Sequence, residues 1–424
     1  MTQPPLATGP ALTVSYILSQ FPLPTQTFAV SDIAALQELG HTVVVHTMKP
    51  QGKVVTMAEA LAALPAPPTI MRPRLRGALR WPRLFWRRRA QVWMLLKRIA
   101  PELRRHPKEA ITAVLCIPRA LEVAEETIAS GSDVVHLFWS RYAALVLAAL
   151  HDLGSPAVRT CFVGAYDLVA DDFLVQIALD RAEAAFSHAE ANRAYIEARA
   201  PPGLPLHIIH RGIPLPKIDE QTARDDAMWL TASALVADKN VEAVLRLFAT
   251  ARSQRPGLRL TICGDGPERQ RLELLADRLG CRDAVIFAGH IDRQSLFALM
   301  RGAAAFLLLS KKPSERLPNV IKEALWSGCA VIASRSEGID ELVPDSGIGL
   351  VIDPDDDDAG RAAVAAILAE SDTAAAKRRE RARALIASRF SSTDSMARYV
   401  AAWKALRPPA VPGGTETDTS QRSA

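Results

Sequence analysis

The sequence is poor in features that mark several large classes of protein. Its five cysteines, among 424 residues, are odd in number and show no CxxC spacing, which argues against a disulfide framework or a zinc site. No uninterrupted apolar run approaches the roughly 18 residues of a membrane-spanning helix. The N-terminus also has no charged stretch followed by an apolar one. We therefore expect a protein of the reducing cytosol that is neither integral to a membrane nor secreted by a visible signal.

Several catalytic motifs are missing as well. The sequence contains no GxxxxGK[ST] phosphate loop, no GxSxG nucleophile turn and no HExxH metal motif. The acidic run "DPDDDDAG" at 353–360 could suggest a metal site, but we interpret it as a solvated turn that supplies acids to the start of the next helix. We expect no metal and no cofactor.

What the sequence does contain is a regular alternation of short apolar β-branched runs with helical stretches. Half of the residues, 49%, are hydrophobic, as in an ordinary globular protein. The alternation is typical of a parallel sheet covered by helices, and it occurs in two series separated by the proline-containing stretch "LHIIHRGIPLP". We predict an α/β protein of two doubly wound, Rossmann-like domains facing across a ligand-binding cleft. The predicted units are a disordered N-terminus (1–10), a first domain (11–213), a second domain (214–388), a helix packing back towards the first domain (389–406) and a disordered tail (407–424).

Positive charge is concentrated in one segment, residues 72–108. The net charge of the chain is +5, but this window alone carries +12 and the remainder −7. Within it, basic residues alternate with tryptophan and leucine, a composition suited to an anionic membrane interface. The residues that we assign to membrane or acceptor contact are Arg83, Trp86, Arg87, Arg88 and Trp93. The alternative is a solvated excursion whose aromatic residues pack on the first domain, and nucleic acid is disfavoured because no recognised binding fold surrounds the segment.

The strongest candidate site is "SERLPNVIKEA", residues 314–324. Pro318 is predicted to open a helix, which places Glu315 in a loop and Glu323 within the helix. Leu317 precedes the proline, where a capping side chain is normally found, so the first N–H groups of the helix are free to bind an anion. Lys311 and Lys312 lie just upstream. Cations, free N–H groups and a carboxylate together suit a diphosphate joined to a sugar, although a plain surface loop is the alternative.

Two further turns are weaker candidates. "GDGPER" provides Gly264 and Gly266 but has Arg269 where a dinucleotide fingerprint needs a third small residue, so an ordinary turn between strand and helix is the simpler interpretation. "ALVADKN" places Lys239 between a strand and a helix, from which its ammonium group could reach a phosphate. A solvated lysine is the alternative there.

These segments together resemble a known family. "SERLPNVIKEALWSGCAVIASRSEGIDELVPDSGIGLVIDP" is similar to the E-x7-E region of the GT-B glycosyltransferases of retaining family four. "YILSQFPLPTQTFAVSDIAALQELGHTVVVHT" resembles the opening of its bacterial polysaccharide-assembly branch. "AYDL", "ICGDGPER" and "VIFAGHI" resemble further motifs of the same family. The resemblance covers nearly the whole chain apart from the basic segment and the tails, and it implies the GT-B fold.

The resemblance also implies a role for each matching residue. Glu315 would face the donor sugar near its reacting carbon, and Glu323 would bind ribose hydroxyls. Lys239 would neutralise the diphosphate. The turn at Gly289, His290 and Ile291 would hold the base. The remaining donor-binding residues, including the backbone donors of the helix start, are Gly264, Lys311, Lys312, Leu317, Pro318, Asn319 and Val320.

Two positions depart from the family pattern. Gly164 stands in "VGAYDL" where the family usually has a histidine that contacts the donor sugar. Ala234 stands in "SALVADK" where the family usually has an arginine that contacts the diphosphate. We interpret both as changes for which this chain compensates, and our hypothesis is that Lys311 or Lys312 replaces the missing guanidinium.

The sequence thus predicts a retaining glycosyltransferase that transfers a sugar from a nucleotide-diphosphate sugar to a glycan or polyprenyl-diphosphate-linked acceptor. The first domain would hold the acceptor, and the setting would be exopolysaccharide or cell-surface glycan assembly. We expect a cytoplasmic protein peripheral to the inner face of the plasma membrane, with no nucleic-acid partner. The alternatives are a non-catalytic relative that binds sugar nucleotides or glycans, motivated by Gly164 and Ala234, and a nucleotide-sugar epimerase.

Overall fold

The computed structural model contains two parallel sheets, each covered by helices. It describes residues 10–23, 27–50, 61, 64–73, 81–169, 172–218 and 223–407. Both tails that the sequence predicts to be disordered lie outside this description except for residues 10 and 407. Within the basic segment, residues 74–80 lie outside it as well.

The first sheet has seven strands in the order β3-β2-β1-β4-β5-β6-β7. The strands are β1 (Thr13–Leu18), β2 (Thr42–Thr47), β3 (Thr69–Met71), β4 (Val134–Phe138), β5 (Val158–Phe162), β6 (Ala184–Ser187) and β7 (Leu206–Ile208). All of its pairings are parallel, with Val14 opposite both Val43 and Val134. Every residue of the central strand β4 is buried, because helices cover both faces of the sheet.

The helices of the first domain follow its strands. They are α1 (Thr27–Glu38), α2 (Trp81–Arg87), α3 (Arg89–Ile99), α4 (Pro107–Ala129), α5 (Ala144–Asp152), α6 (Ala165–Val169), α7 (Phe173–Leu179) and α8 (Arg193–Glu197). The excursion formed by α2 and α3 packs on α4. Leu84, Leu95 and Ile99 anchor it in the hydrophobic core of the first domain.

The second sheet has six parallel strands in the order β10-β9-β8-β11-β12-β13. The strands are β8 (Asp225–Ala232), β9 (Arg259–Cys263), β10 (Val285–Gly289), β11 (Ala303–Leu308), β12 (Ala330–Ser334) and β13 (Leu350–Ile352). The helices around it are α9 (Val241–Gln254), α10 (Arg269–Arg278), α11 (Arg293–Gly302), α12 (Asn319–Ser327), α13 (Asp357–Leu368) and α14 (Asp372–Arg389). The two doubly wound domains that the alternating pattern predicts are therefore present.

The chain crosses between the domains twice, and the two crossings run side by side. The N–H of Ile213 donates to the carbonyl of Phe390 at 2.8 Å, and the N–H of Ser392 donates to the carbonyl of Ile213 at 3.0 Å. A Cβ on Gly212 would lie 2.2 Å from the backbone of Ser391, so only glycine allows this approach. The paired crossings bring the carboxyl ends of both sets of strands to a common cleft.

After the second crossing, the last helix, α15 (Ser392–Leu406), lies on the first domain. Its Tyr399 ring stacks on Phe186 of β6 with centroids 4.5 Å apart, and Trp403 is fully buried in the same core. The C-terminal helix therefore packs on the domain at the opposite end of the sequence.

Candidate functional site

The "SERLPNVIKEA" segment follows β11 and leads into α12. The helix begins at Asn319, one residue later than predicted, because Pro318 has an extended backbone with φ −61° and ψ 132° and occupies the capping position. No side chain caps the helix. The preceding Leu317 is buried and has φ +51°, a conformation that L-residues rarely adopt. The bend at Leu317 and Pro318 thus leaves the N–H groups of the first turn, at Asn319 and Val320, without a side-chain acceptor.

Glu315, in the loop, is in contact with Lys239. The lysine Nζ donates to Oε1 of the carboxylate, and both side chains are mostly buried. Backbone hydrogen bonds bring the two loops together, because the carbonyl of Asp238 accepts from the N–H of Lys311 at 2.9 Å and from the hydroxyl of Ser310 at 3.1 Å. The second oxygen, Oε2 of Glu315, is buried without a partner among the described residues. A buried carboxylate oxygen with no donor is a place where a ligand hydroxyl can bind.

Glu323, in α12, has a partner that sequence reasoning missed. Arg293, the first residue of α11, donates from Nη2 to Oε1 of Glu323 at 2.7 Å and from Nη1 to the hydroxyl of Ser31 at 3.3 Å. Ser31 belongs to α1, so this guanidinium joins the two domains. Burial raises the pKa of Glu323 above its ordinary value, although the charge of Arg293 opposes the rise. A ribose bound at Glu323 would therefore meet Arg293 as well.

A second buried contact between the domains lies next to it. Lys322 of α12 is 1% exposed and donates from Nζ to the carbonyl of Arg211 at 2.8 Å and to the side chain of Asn319 at 3.0 Å. The guanidinium of Arg211 pairs with Asp32 of α1 at 2.9 Å and lies 4.1 Å from the ring centroid of Phe138. Burial, together with the nearby charge of Arg211, lowers the pKa of Lys322 to about 7. These contacts hold the helix start against the first domain.

The glycine turn after β9 has a structural explanation. Gly264 has φ +137°, and a Cβ there would lie 1.9 Å from the carbonyl oxygen of Ser233. A Cβ on Gly266 would lie 2.4 Å from the carbonyl oxygen of Leu235. These glycines let two turns of the second domain touch, which accounts for them without a phosphate. The residues predicted to hold the base lie at the neighbouring strand end, His290 being exposed and Ile291 packed on the core.

The two lysines upstream of Glu315 have different surroundings. Lys311 is paired with Asp355, with Nζ to oxygen distances of 2.5 and 2.7 Å, and points to an exposed part of the surface. Lys312 is exposed, and its backbone N–H donates to the hydroxyl of Ser310 at 3.2 Å. Asp356, in the acidic run, caps α13 by accepting from the N–H groups of Asp358 and Ala359. The described part of the chain holds no group of three or more His, Cys, Asp or Glu side chains arranged for a metal ion.

Of the two positions that depart from the family pattern, Gly164 is the more tightly packed. Its N–H donates to Oδ2 of Asp167 at 2.9 Å, and a Cβ there would lie 3.1 Å from the Phe162 ring and 3.6 Å from Nε1 of Trp139. Ala234 lies in the exposed loop after β8. The space next to residue 164 is thus already taken by two aromatic rings.

The basic segment presents tryptophans at the surface. Trp86 is 73% exposed and Trp93 is 60% exposed. Arg87 and Arg88 both pair with Glu125 of α4, at 2.5 and 2.8 Å, while Arg83 is exposed. Among the described residues, no helix is both long enough and apolar enough to cross a membrane.

Some residues of the site carry a signal that sequence reasoning could have used. Arg293 directly follows the turn after β10, the kind of strand end where ligand-binding side chains collect. Arg316 lies inside the quoted segment and contacts Asn192 and Glu337, which joins the loop to the first domain. Arg211 and Lys322 carry no comparable signal, because the contact between them forms only where the two domains meet.

Comparisons with known proteins bear on the second domain and on the fold. Residues 216–385 match the family model of group 1 glycosyl transferases. The matched range includes Lys239, Arg293, Glu315 and Glu323, so the cluster described above lies inside the matching domain. For this part of the chain, a likeness to group 1 glycosyl transferases is therefore confirmed.

Individual relatives agree with this match. The chain is 31% identical over 144 residues to the lipopolysaccharide core biosynthesis glycosyltransferase LpsD of Rhizobium meliloti (strain 1021), a match that covers 34% of this chain and 40% of that protein. It is 34% identical over 157 residues to a GDP-mannose-dependent alpha-(1-6)-phosphatidylinositol monomannoside mannosyltransferase of Mycolicibacterium smegmatis (strain ATCC 700084 / mc(2)155), covering 36% and 41%. The matches thus span about two fifths of these curated relatives.

Among solved structures, HepE of Anabaena in complex with UDP superposes with a TM-score of 0.67 at 16% identity, covering 93% of this chain and 100% of that one. At this identity the likeness concerns the fold. The chain has the GT-B fold of two facing Rossmann-like domains, as the resemblance implied.

Proposed function

We propose that the protein is a retaining glycosyltransferase that transfers a sugar from a nucleotide-diphosphate sugar to a glycan or lipid-linked acceptor. The observation that carries this proposal is the pairing of Glu315 with Lys239 beside the uncapped start of α12, inside the range that matches group 1 glycosyl transferases. A cation and free N–H groups next to a carboxylate suit a substrate that has phosphates at one end and hydroxyls at the other.

Each group at the helix start has a role in this proposal. The N–H groups of Leu317, Asn319 and Val320 and the ammonium of Lys239 bind the diphosphate and stabilise it as it departs. Oε2 of Glu315 accepts from a sugar hydroxyl and opposes the positive charge that develops on an oxocarbenium-like sugar. Glu323 binds the ribose together with Arg293, and the turn at His290 and Ile291 holds the base. The proposed reaction uses no metal.

The acceptor is proposed from the chemistry that the names of the relatives indicate. LpsD is named for lipopolysaccharide core biosynthesis and the Mycolicibacterium protein for a phosphatidylinositol mannoside, which are both glycans joined to lipids. We accordingly place this chain in exopolysaccharide or cell-surface glycan assembly, with a glycan or a polyprenyl-diphosphate-linked sugar as acceptor. In this setting the protein works at the inner face of the plasma membrane.

The exposed Trp86 and Trp93 support a membrane contact. Arg89 lies 5.5 Å from the Trp86 ring centroid and Lys97 lies 5.3 Å from that of Trp93, so each indole has a cation beside it. Tryptophan next to a basic side chain suits the interface of an anionic bilayer, where the ring enters the headgroup layer and the charge meets lipid phosphate. Arg87 and Arg88 contribute less, because Glu125 neutralises them in part.

The test is a panel of nucleotide sugars incubated with the protein and simple glycoside or lipid-linked acceptors, with nucleotide release as the readout. We expect one donor to raise the melting temperature and to release its nucleotide when an acceptor is present, with equal rates in EDTA and in Mg²⁺. The anomeric configuration of the product, measured by NMR, tests retention. Binding without release would favour a non-catalytic binding protein, and interconversion of the sugar without release would favour an epimerase.

A further inference from the structure

A tryptophan at the carboxyl end of β4 stands out on the first-domain side of the cleft. Trp139 has φ +65°, an unfavourable conformation for a bulky residue and one found mainly where function requires it. Its ring packs against Phe28 at 5.2 Å and Phe138 at 5.3 Å between centroids. No described residue accepts a hydrogen bond from its Nε1–H, and because the side chain is only partly buried this N–H can reach a ligand.

The loop that contains Gly164 lies next to this indole. Because a Cβ on residue 164 would lie 3.6 Å from Nε1 of Trp139 and 3.1 Å from the Phe162 ring, Gly164 leaves the nitrogen uncovered. Asp167 fixes the position of Gly164, since its carboxylate accepts from the N–H of that residue at 2.9 Å. The glycine is therefore held beside the indole.

A second ring nitrogen lies on the same part of the edge. His188 follows β6, and its ring stacks on Phe162 with centroids 5.5 Å apart. Its Nδ1 is buried without a partner among the described residues. The backbone of Arg316, next to Glu315 in the sequence, lies near this ring. Phe162 is thus flanked by two nitrogen atoms, one from an indole and one from an imidazole, that are free to bind a ligand.

This edge faces the proposed donor site. The guanidinium of Arg211 covers Phe138 at 4.1 Å and Phe162 at 4.7 Å, and the carbonyl of the same residue accepts from Lys322 of α12. Arg211 therefore contacts both the aromatic rings next to Trp139 and the helix start that we propose for the diphosphate. A sugar projecting from that diphosphate towards the first domain would reach this edge.

We propose that Trp139 and His188 contact the transferred sugar of the bound donor and determine which sugar is accepted. The proposal rests on the proposed function and adds contacts from the first-domain edge to the contact that Glu315 makes with the sugar. Nε1–H of Trp139 donates to a sugar hydroxyl, Nδ1 of His188 pairs with a second one, and the indole face covers the C–H side of the ring. A site built around such hydrogen bonds rejects a sugar that lacks the matching hydroxyl.

The test separates the contribution of the sugar from that of the nucleotide. For the donor found in the panel, dissociation constants of the nucleoside diphosphate and of the nucleotide sugar are measured by calorimetry for the wild type, Trp139→Phe and His188→Phe. Each variant should bind the nucleoside diphosphate within about twofold of the wild type, and the affinity for the nucleotide sugar should fall about 3- to 10-fold, as expected for one lost hydrogen bond. Trp81→Phe, at an indole nitrogen of α2 that is also without a partner, and His207→Phe, at a histidine stacked on Phe186, are the matched controls.

The outcomes are distinct. If both variants keep the wild-type difference between nucleotide sugar and nucleotide, the assignment of Trp139 and His188 is wrong while the proposed function stands. If the wild type binds no nucleotide, the proposed function fails and this inference fails with it. Should Trp139→Phe not fold, Gly164→Ala gives a second route. Its methyl group would lie 3.6 Å from Nε1 of Trp139 and cover that nitrogen without removing the indole, which is expected to weaken nucleotide-sugar binding in the same way.

Discussion

The two edges of the cleft differ in kind. The second-domain edge is made of charged pairs, Lys239 with Glu315 and Arg293 with Glu323, around a helix start. The first-domain edge is made of stacked rings, with the ion pair of Arg211 and Asp32 set among them. Charge and N–H groups suit phosphates, whereas rings with isolated donors suit a sugar. We infer that the second-domain edge binds the nucleotide and meets the sugar through Glu315, whereas the first-domain edge contacts the sugar alone.

The strongest test of this difference between the edges is Glu315→Gln. The substitution removes a charge from the second-domain edge and keeps the size of the side chain. In the proposed mechanism it should lower the transfer rate about 10²- to 10³-fold, the usual loss when one electrostatic contact to the transition state is removed. The affinity for the nucleoside diphosphate should stay within about threefold, because Lys239 remains. Initial rates of nucleotide release measure the first, and calorimetry measures the second.

Glu341→Gln is the matched control for Glu315→Gln. Glu341 is a partly buried glutamate that pairs with His210 at 2.7 Å and belongs to the contact between the domains. It should leave the rate nearly unchanged. Equal rates for Glu315→Gln and the wild type would contradict a role for this carboxylate in transfer.

The same comparison shows where sequence reasoning succeeds. The alternation of strands and helices gave both domains, and the second-domain edge could be inferred because Glu315, Pro318 and Glu323 lie in one short segment. The start of α12 was misplaced by one residue, since proline is compatible with both the first helical position and the capping position. Lys239 and Glu315 are 76 positions apart in the sequence, and only the packing of β8 beside β11 brings them into contact.

The first-domain edge could not be predicted in the same way. Trp139 and His188 are single residues after strands, in stretches with no spacing pattern. The sequence also does not predict that a tryptophan has a positive φ. Arg211 and Lys322 meet only when the domains dock, so neither sequence neighbourhood contains the partner. Side chains that depend on such docking have no local signal.

Lys312→Ala and Lys311→Ala test which lysine of the second-domain edge contacts the diphosphate. If a lysine replaces the guanidinium absent at Ala234, Lys312 is the better candidate, because Asp355 holds Lys311. We expect Lys312→Ala to weaken nucleoside diphosphate binding about 5- to 10-fold and Lys311→Ala to change it less than twofold, both measured by calorimetry at constant ionic strength. If changing both lysines leaves donor affinity and turnover as in the wild type, neither replaces the arginine.

A third prediction concerns the surface outside the cleft. Trp86→Ala combined with Trp93→Ala should lower binding to vesicles that contain anionic lipid about fivefold or more in a flotation assay, because both indoles are exposed and would enter the headgroup layer. Arg87→Gln is the matched control and should have a smaller effect, since Glu125 already pairs with it. Failure of the wild type to float at moderate salt would exclude the membrane contact.

The smallest expected effect tests the contact that joins the two edges. The folded-state pKa of Lys322 is about 7, below the ordinary 10.5, because the ammonium is buried beside Arg211. Between these values the unfolded chain binds more protons than the folded one, so the contribution of Lys322 makes stability rise with pH. Below about pH 7 both states are protonated and the full cost of burying the charge is present.

Lys322→Met removes this cost and with it the pH dependence. The melting temperature of the wild type minus that of Lys322→Met should therefore increase by about 2–4 °C between pH 7 and pH 9. Asp32, Arg211 and Glu323, which face the lysine, are present in both proteins and largely cancel in this difference. Lys377→Met, at an exposed lysine of α14, should give a constant difference. A constant difference for Lys322→Met as well would show that this ammonium stays charged across the range, and that the docked domains leave it in contact with water.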